Sequence, residues 1–210
     1  MKSINVFLLF KSQVQDIVFI KEFAQGFRKV KNSSLVLHEG TNPEDSAGTA
    51  FLTKRICGFL SEEMVTACGF SGSHRNILQE QGNRLRFRSE LAGEWFEQSR
   101  VIVLNSLCID RKNGERSFAL SDLFPAVLAE YKNFCVILFP DNPNSPFVQQ
   151  APVPLTAENT GKFHAEEGNE TAVSKSIQQL FFWVAKSGEE RRVSAYLCSV
   201  RNFHTVPAVS

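Results

Sequence analysis

The chain has 210 residues, of which 43% are hydrophobic and 21% are charged, a balance that is typical of a globular domain and argues against a disordered chain. The formal net charge of +1 gives no electrostatic reason to expect nucleic acid or an anionic membrane as a partner. The apolar run at residues 4–10 is too short for a signal peptide or a membrane span, so we interpret it as a buried strand. Nineteen phenylalanines against two tyrosines and two tryptophans are an excess that we assign to core packing.

The cysteines and histidines indicate neither a disulfide framework nor a metal site. The five cysteines are widely spaced, lie mostly within apolar runs and include no Cys-x-x-Cys pair. This odd number in this arrangement predicts reduced, buried thiols in a cytoplasmic protein. The four histidines are scattered along the chain, so we expect no metal ligands among them.

Short apolar runs alternate with helical patterns along the chain. The runs are mostly continuous, as expected for strands that helices cover on both faces. We predict strands at residues 4–10, 34–38, 64–70, 101–105, 134–139 and 193–198.

The segments between these runs contain helical and turn patterns. Apolar residues recur at helical spacing within residues 20–27, 120–131 and 177–184. Residues 84–88 alternate charged and apolar side chains, which favours a half-exposed hairpin strand. Residues 141–168 are rich in Pro, Asn and Glu, and we predict a long surface connection there.

Strand, helix and strand in succession imply parallel pairing with right-handed crossovers. We therefore predict an α/β fold, a three-layer α/β/α sandwich with a mainly parallel central sheet, that spans residues 1–210 as a single domain. Ligands of such sheets bind at the carboxyl ends of the strands. Three predicted strand ends carry polar or glycine-containing turns, at residues 38–41, 69–73 and 140–143.

The order of these motifs resembles the amino acid kinase family, and acetylglutamate kinase within it, in a divergent and shortened form. Residues 35–40 resemble the family's apolar strand that ends in His-Gly-Gly-Gly. Residues 53–72 resemble an Asn-Lys helix that leads to a Val-Gly-Leu-Ser-Gly strand, and residues 121–141 resemble Asn-Ala-Asp, a helix and a Leu-Thr-Asp strand end. Residues 153–175 resemble the final segment with its Gly-Met-x-x-Lys helix, so the likeness covers most of the chain.

The resemblance implies transfer of the γ-phosphoryl group of ATP to a carboxylate with the help of Mg, a chemistry that depends on charge neutralisation and positioning. By position, it makes Lys175 and Lys11 the lysines that contact the phosphates and Asp122 the carboxylate that orients them. The phosphate- and nucleotide-binding residues that it implies are Gly40, Gly72 and Asp141. Two structural alternatives stay open, because Asp122 suits a helix start and Lys175 suits a solvated helix face.

The resemblance also implies an organisation of the chain. Residues 1–118 would form the half that binds the amino-acid substrate, and residues 119–210 would form the half that binds the nucleotide. Members of the family commonly form dimers or hexamers by extending the sheet across an interface, so we expect a homo-oligomer.

The chain departs from the family's pattern at the phosphate turns. Ser12 and Gln13 stand where the first strand should be followed by two glycines. Glu39 replaces a glycine of the second turn and puts a carboxylate where phosphate oxygens would lie, and like charges within about 4 Å cost several kcal/mol in a partly desolvated site. From Gly40 to Lys54 the chain is much shorter than in a typical acetylglutamate kinase, and the missing part normally includes a helix and the hairpin that closes over the amino acid. The asparagines expected to hold that substrate are replaced by Phe118 and Leu120.

Three hypotheses about function follow. The first is a divergent kinase-like protein with weak or no phosphoryl transfer that binds a small molecule or a partner. The second is an active kinase that phosphorylates the carboxylate of an N-acylated amino acid, as in arginine biosynthesis. The third is a serine hydrolase that uses Ser71, although the Gly-x-Ser-x-Gly elbow is not met, since the second glycine comes one residue early.

Overall fold

The computed structural model describes residues 4–40, 42, 44–81, 84–110, 114–142, 145, 151–167, 172–186 and 192–207. The strands are β1 (Ile4–Leu9), β2 (Ser34–His38), β3 (Ala67–Phe70), β4 (Leu78–Gln81), β5 (Arg84–Phe87), β6 (Val101–Asn105), β7 (Leu107–Asp110), β8 (Gly114–Ser117), β9 (Asn133–Leu138), β10 (Val153–Pro154) and β11 (Arg192–Leu197). The helices are α1 (Lys11–Gln15), α2 (Ile17–Phe27), α3 (Ser46–Glu62), α4 (Ser89–Phe96), α5 (Leu120–Leu128), α6 (Ala157–Glu167) and α7 (Ala172–Lys186).

The central sheet has the strand order β10-β11-β9-β1-β2-β6-β3, and β10 alone among these strands is antiparallel to its neighbour. Successive residues of β1 point to opposite faces, so Val6 and Leu8 pack on one side while Phe7 and Leu9 pack on the other. Helices α1 to α3 cover the second side, and α4 to α7 contribute to the first. The predicted three-layer α/β fold with a mainly parallel sheet is confirmed, and all six predicted strands lie in this sheet.

One predicted strand begins later than expected. The prediction started it at residue 64, but Met64 adopts a left-handed conformation with φ of 58° and ends α3. The amide of Met64 donates to the Ser61 carbonyl at 3.0 Å, and that of Val65 donates to the Leu60 carbonyl at 2.9 Å. These two bonds form a Schellman motif, in which the buried Val65 and Leu60 provide the usual apolar contact. The strand β3 therefore starts only at Ala67.

A second, smaller sheet lies outside the central one and has the order β5-β4-β7-β8. Its β4 and β5 form an antiparallel hairpin in which Leu78 stands opposite Phe87. Both side chains are buried, whereas the exposed Arg86 lies between the inward-facing Leu85 and Phe87. The predicted hairpin strand at residues 84–88 is confirmed.

The prediction of a long surface connection at residues 141–168 was wrong in its second half, which forms β10 and α6. The Thr156 side chain accepts a hydrogen bond from the amide of Asn159 at 3.2 Å, a typical start for a helix. The helix inserts Phe163, which is 1% exposed, into the core. One such apolar anchor on a polar segment leaves almost no periodic signal in the sequence.

Much of the phenylalanine excess forms one cluster on the α1–α3 side of the sheet. Ring centroids lie 4.8 Å apart for Phe7 and Phe27, and 4.9 Å apart for Phe23 and Phe27. The cluster, which we call the phenylalanine cluster, consists of Phe7, Phe19, Phe23, Phe27, Phe139 and Phe203, all of them buried. For these residues the assignment to core packing is confirmed.

Two properties of the described residues bear on function. None of the helices formed by these residues has the length and apolar character needed to cross a membrane. The same part of the chain contains no group of three or more His, Cys, Asp or Glu side chains arranged to hold a metal ion.

Candidate functional site

The carboxyl ends of the parallel strands share one edge of the central sheet, the edge at which ligands bind in such folds. Phe10 and Lys11 come directly after β1. Glu39 and Gly40 follow β2, Gly72 follows β3, and Asp141 follows β9. The structure thus gathers at one edge most of the residues that the sequence singled out.

The carboxylate of Glu39 is bound by two backbone amides from separate parts of the chain. The N–H of Lys11 donates to Oε2 at 3.1 Å, and the N–H of Leu120, the first residue of α5, donates to Oε1 at 3.2 Å. We call these two amides the amide cradle. Converging amides of this kind bind anions, and here the protein's own carboxylate is the anion. The Lys11 ammonium donates to Asn42 Oδ1 at 3.3 Å.

The turn after β1 holds side chains where the resemblance expects glycines. The Gln13 amide accepts from the Phe10 N–H at 3.0 Å and donates to the Phe139 carbonyl at 2.9 Å, so it joins the ends of β1 and β9. The Ser12 hydroxyl donates to Asp141 Oδ1 at 3.2 Å. Both residues therefore use the space and the hydrogen bonds of the turn for internal contacts.

A buried network of polar side chains lies next to the same edge and links β2, α3 and β6. His38 Nδ1 donates to the Glu39 carbonyl at 2.8 Å, which leaves Nε2 to accept from the Thr53 hydroxyl at 2.9 Å. Asn105 Nδ2 donates to that hydroxyl at 3.0 Å, and Asn105 Oδ1 accepts the Gly72 N–H at 3.2 Å. Thr53 and Asn105 were missed as site residues by sequence reasoning. Their signal is a polar residue within an apolar helix face and at the end of an apolar strand.

Close packing accounts for both predicted phosphate-binding glycines. A Cβ on Gly40 would lie 2.4 Å from Thr49 Oγ1, and a Cβ on Gly72 would lie 2.2 Å from the carbonyl oxygen of Leu107. Both glycines are buried. Since the Gly72 amide is also engaged by Asn105, this glycine serves the contact between its turn and the strand β6.

Burial lowers the pKa of His38 to about 4, although its hydrogen bond to the Glu39 carbonyl acts in the opposite direction. The imidazole is 0% exposed, so the network around it is built on a neutral ring at neutral pH.

This pKa predicts acid sensitivity of the fold. Between pH 6.5 and pH 4 the unfolded chain binds a proton at residue 38 that the folded protein does not bind. The free energy of unfolding should therefore fall as the pH falls through this window, by about 3 kcal/mol from this residue. Urea denaturation at several pH values checks the slope. His38→Gln should flatten it, whereas the exposed His74 replaced by Gln should leave it unchanged; equal slopes in native protein and His38→Gln would contradict the assignment.

The other predicted catalytic residues do not join the amide cradle through any contact within the described residues. Lys175 is exposed in the first turn of α7. Asp122 is exposed in the first turn of α5 and lines a groove that faces the smaller sheet. Neither the Lys11 nor the Glu39 side chain lines that groove.

The surroundings of Ser71 do not resemble a hydrolase triad. Its Oγ lies 2.7 Å from Ser73 Oγ, and Ser73 in turn donates a hydrogen bond to Glu115. The His74 ring packs against Phe70, with centroids 5.7 Å apart, and no histidine of the described chain hydrogen-bonds to Ser71. The serine thus lacks a general base in contact with its hydroxyl.

Comparison with known proteins adds information about the fold. No family profile matches the chain, and no curated protein matches it. Among solved structures, an isopentenyl phosphate kinase matches with a TM-score of 0.60 at 13% identity, over 94% of this chain and 92% of that one. The aspartate kinase from Synechocystis matches with a TM-score of 0.56 at 12% identity, over 95% of this chain and 41% of its own.

A third structure extends this set beyond kinases. The N-acetylglutamate synthase from Neisseria gonorrhoeae, in complex with coenzyme A and N-acetyl-glutamate, matches with a TM-score of 0.60 at 10% identity, over 95% of this chain and 55% of its own. Identities this low establish architecture and leave the chemistry open. The chain therefore has the amino-acid-kinase fold.

Proposed function

We propose that this chain is a divergent protein of the amino acid kinase family, resembling acetylglutamate kinase, that has lost phosphoryl transfer and acts by binding a small molecule or a partner. The observation that carries the proposal is the position of Glu39. Its carboxylate accepts from both amides of the amide cradle, at 3.1 and 3.2 Å, and so occupies the place that an anion would take there.

The cost of placing a phosphate beside this carboxylate is large. Two unit charges about 4 Å apart repel by about 4 kcal/mol at an effective dielectric constant of about 20. Removal of one preorganised donor lowers the rate of a transfer reaction by about 10²–10³. The Lys11 and Leu120 amides are engaged by Glu39 and the Gly72 amide by Asn105, so several donors are lost together.

The packing of the scaffold supports a binding role for the protein. Residues throughout both faces of the central sheet are fully buried, so the fold has kept its core while the edge has changed. The strand β3 ends the sheet and pairs only with β6 among the described strands. It offers an edge for the homo-oligomer that the family resemblance implies.

An active kinase with a changed substrate is the alternative. The observation that favours it is that Lys11 keeps an exposed ammonium while its backbone amide belongs to the amide cradle. In that case Lys175 and Asp122 would complete the phosphate machinery, and Lys175→Ala would abolish turnover.

The proposal predicts that Mg-ATP does not bind. A ligand at 100 times its Kd adds about 2.7 kcal/mol to the stability of the state that it binds, so a functional nucleotide site would raise the Tm visibly. We expect no change in Tm with Mg-ATP and no ADP formation with N-acetylglutamate. An active kinase of the same fold, measured in parallel, is the positive control. A rise in Tm that grows with ATP concentration, or ADP formation that Lys175→Ala removes, would refute the proposal.

A further inference from the structure

A groove of about 630 Å³ lies between the smaller sheet and α5. The groove is open to solvent, and residues of both the smaller sheet and α5 form its walls. The residues that line it are Glu80, Leu85, Arg116, Phe118, Ser121, Asp122, Pro125, Ala126 and Ala129. The residues of the amide cradle, Lys11 and Leu120, and the Glu39 carboxylate that they bind are not among them.

The side of α5 that faces the groove carries small residues. Pro125, Ala126 and Ala129 leave space there, whereas the opposite side of the helix is completely buried in the core. Long charged side chains usually cover the outer face of a helix at such a boundary. The short side chains of Pro125, Ala126 and Ala129 keep the groove open and make one of its walls apolar.

The opposite wall contains a charged pair on the core side of the smaller sheet. By strand alternation, Glu80 shares the inner face of β4 with the buried Leu78. Arg116 Nη2 lies 2.8 Å from Glu80 Oε1, and the guanidinium carbon lies 4.5 Å from the centroid of the Phe118 ring. Arg116 Nε is buried and finds no hydrogen-bond partner in the described part of the chain. Partly desolvated charges are costly at such a position, which points to a role other than stability.

The charges of the groove do not balance. Arg116 is neutralised by Glu80 and fixed on Phe118. The carboxylate of Asp122 forms no hydrogen bond or ion pair with the described residues, so one negative charge is left over. Leu85 and Pro125 supply apolar surface close to this charge.

We propose that this groove binds a small organic cation, an amine joined to an apolar body. Its ammonium group pairs with the Asp122 carboxylate, and its carbon skeleton lies against Leu85, Phe118 and Pro125. The Glu80–Arg116 pair forms part of the opposite wall, and because Glu80 offsets the charge of the guanidinium, the groove keeps the negative charge of Asp122. This inference goes beyond the proposed function and does not depend on it, since the lining of the groove includes neither Lys11 nor Glu39.

The test uses three probes of one shape and different charge, namely benzylamine as its ammonium ion, benzyl alcohol and benzoate. Calorimetry or NMR titration of the full chain measures their affinities at constant ionic strength. We expect the ammonium ion to bind at least about tenfold more tightly than the alcohol. This ratio is the gain in affinity expected when a hydrogen bond is made to a charged group. Benzoate should bind most weakly.

Two variants locate the binding. Asp122→Asn keeps the shape of the groove and should lower the affinity for benzylammonium about tenfold or more. Glu62→Gln removes an exposed carboxylate from the end of α3 and should leave that affinity unchanged. Circular dichroism verifies that both variants fold. The proposal is overturned by absence of benzylammonium binding up to about 10 mM, by benzoate binding as tightly as the cation, or by unchanged affinity in Asp122→Asn. Nucleotide binding in the native protein would refute the proposed function and leave this inference standing.

Discussion

Replacing Glu39 with glycine is expected to increase the affinity of the protein for Mg-ATP. The substitution frees the Lys11 and Leu120 amides, which the carboxylate holds at 3.1 and 3.2 Å, and removes a negative charge from their midst. Relief of a repulsion of about 4 kcal/mol corresponds to an affinity gain of a hundredfold or more. Isothermal calorimetry with Mg-ATP and with pyrophosphate measures the gain in native protein and variant.

Two further variants separate the causes of this gain. Glu39→Gln removes the charge but keeps the volume of the side chain, so it should give a smaller gain than Glu39→Gly. Glu44→Gly removes an exposed carboxylate from the segment that follows β2 and should give none. If Glu39→Gly binds phosphate as poorly as the native chain, Glu39 is not the group that keeps phosphate out. In that case the side chains of Ser12 and Gln13 would be the remaining obstacle.

The substitution Phe23→Ala should lower the free energy of unfolding by several kcal/mol. Phe23 lies at the centre of the phenylalanine cluster, is 0% exposed and contacts the rings of Phe7, Phe27 and Phe203 at centroid distances of 5.6, 4.9 and 5.5 Å. Truncation of a buried phenylalanine costs about 3–5 kcal/mol, because it removes apolar contacts and leaves a cavity. For a domain of this size the Tm should fall by roughly 10 °C.

A matched control for this prediction lies on another helix. Phe51 in α3 is 62% exposed, so Phe51→Ala should change the free energy of unfolding by no more than about 0.5 kcal/mol. Both substitutions place alanine in a helix, which keeps helix propensity equal. Denaturant unfolding of the two variants gives the comparison. Similar losses in both would show that the phenylalanine cluster is not the centre of stability.

Local sequence patterns were sufficient for most of the fold. Most of the predicted strands are continuous apolar runs, and nearly all residues of the central strands β1, β2, β6 and β9 are buried. The failures have local causes. Met64 adopts a left-handed conformation that glycine usually adopts at the end of a helix. Because the sequence has methionine there, the residue type did not indicate where α3 ends. Within residues 157–163, the part of α6 whose side chains are described, Phe163 is the one buried apolar residue, so a helical period is hard to detect.

The sequence by itself determined the α/β architecture and the replacement of a phosphate-turn glycine by Glu39, since both follow from residue types in order along the chain. The tertiary structure alone decided what Glu39 does, because the Lys11 and Leu120 amides that bind it come from segments 28 and 81 residues away. It also assigned Gly72 to packing through Asn105, and it placed Asp122 in a groove shared with the smaller sheet. Contacts between distant segments depend on how the sheets and helices pack, and no local pattern contains that information.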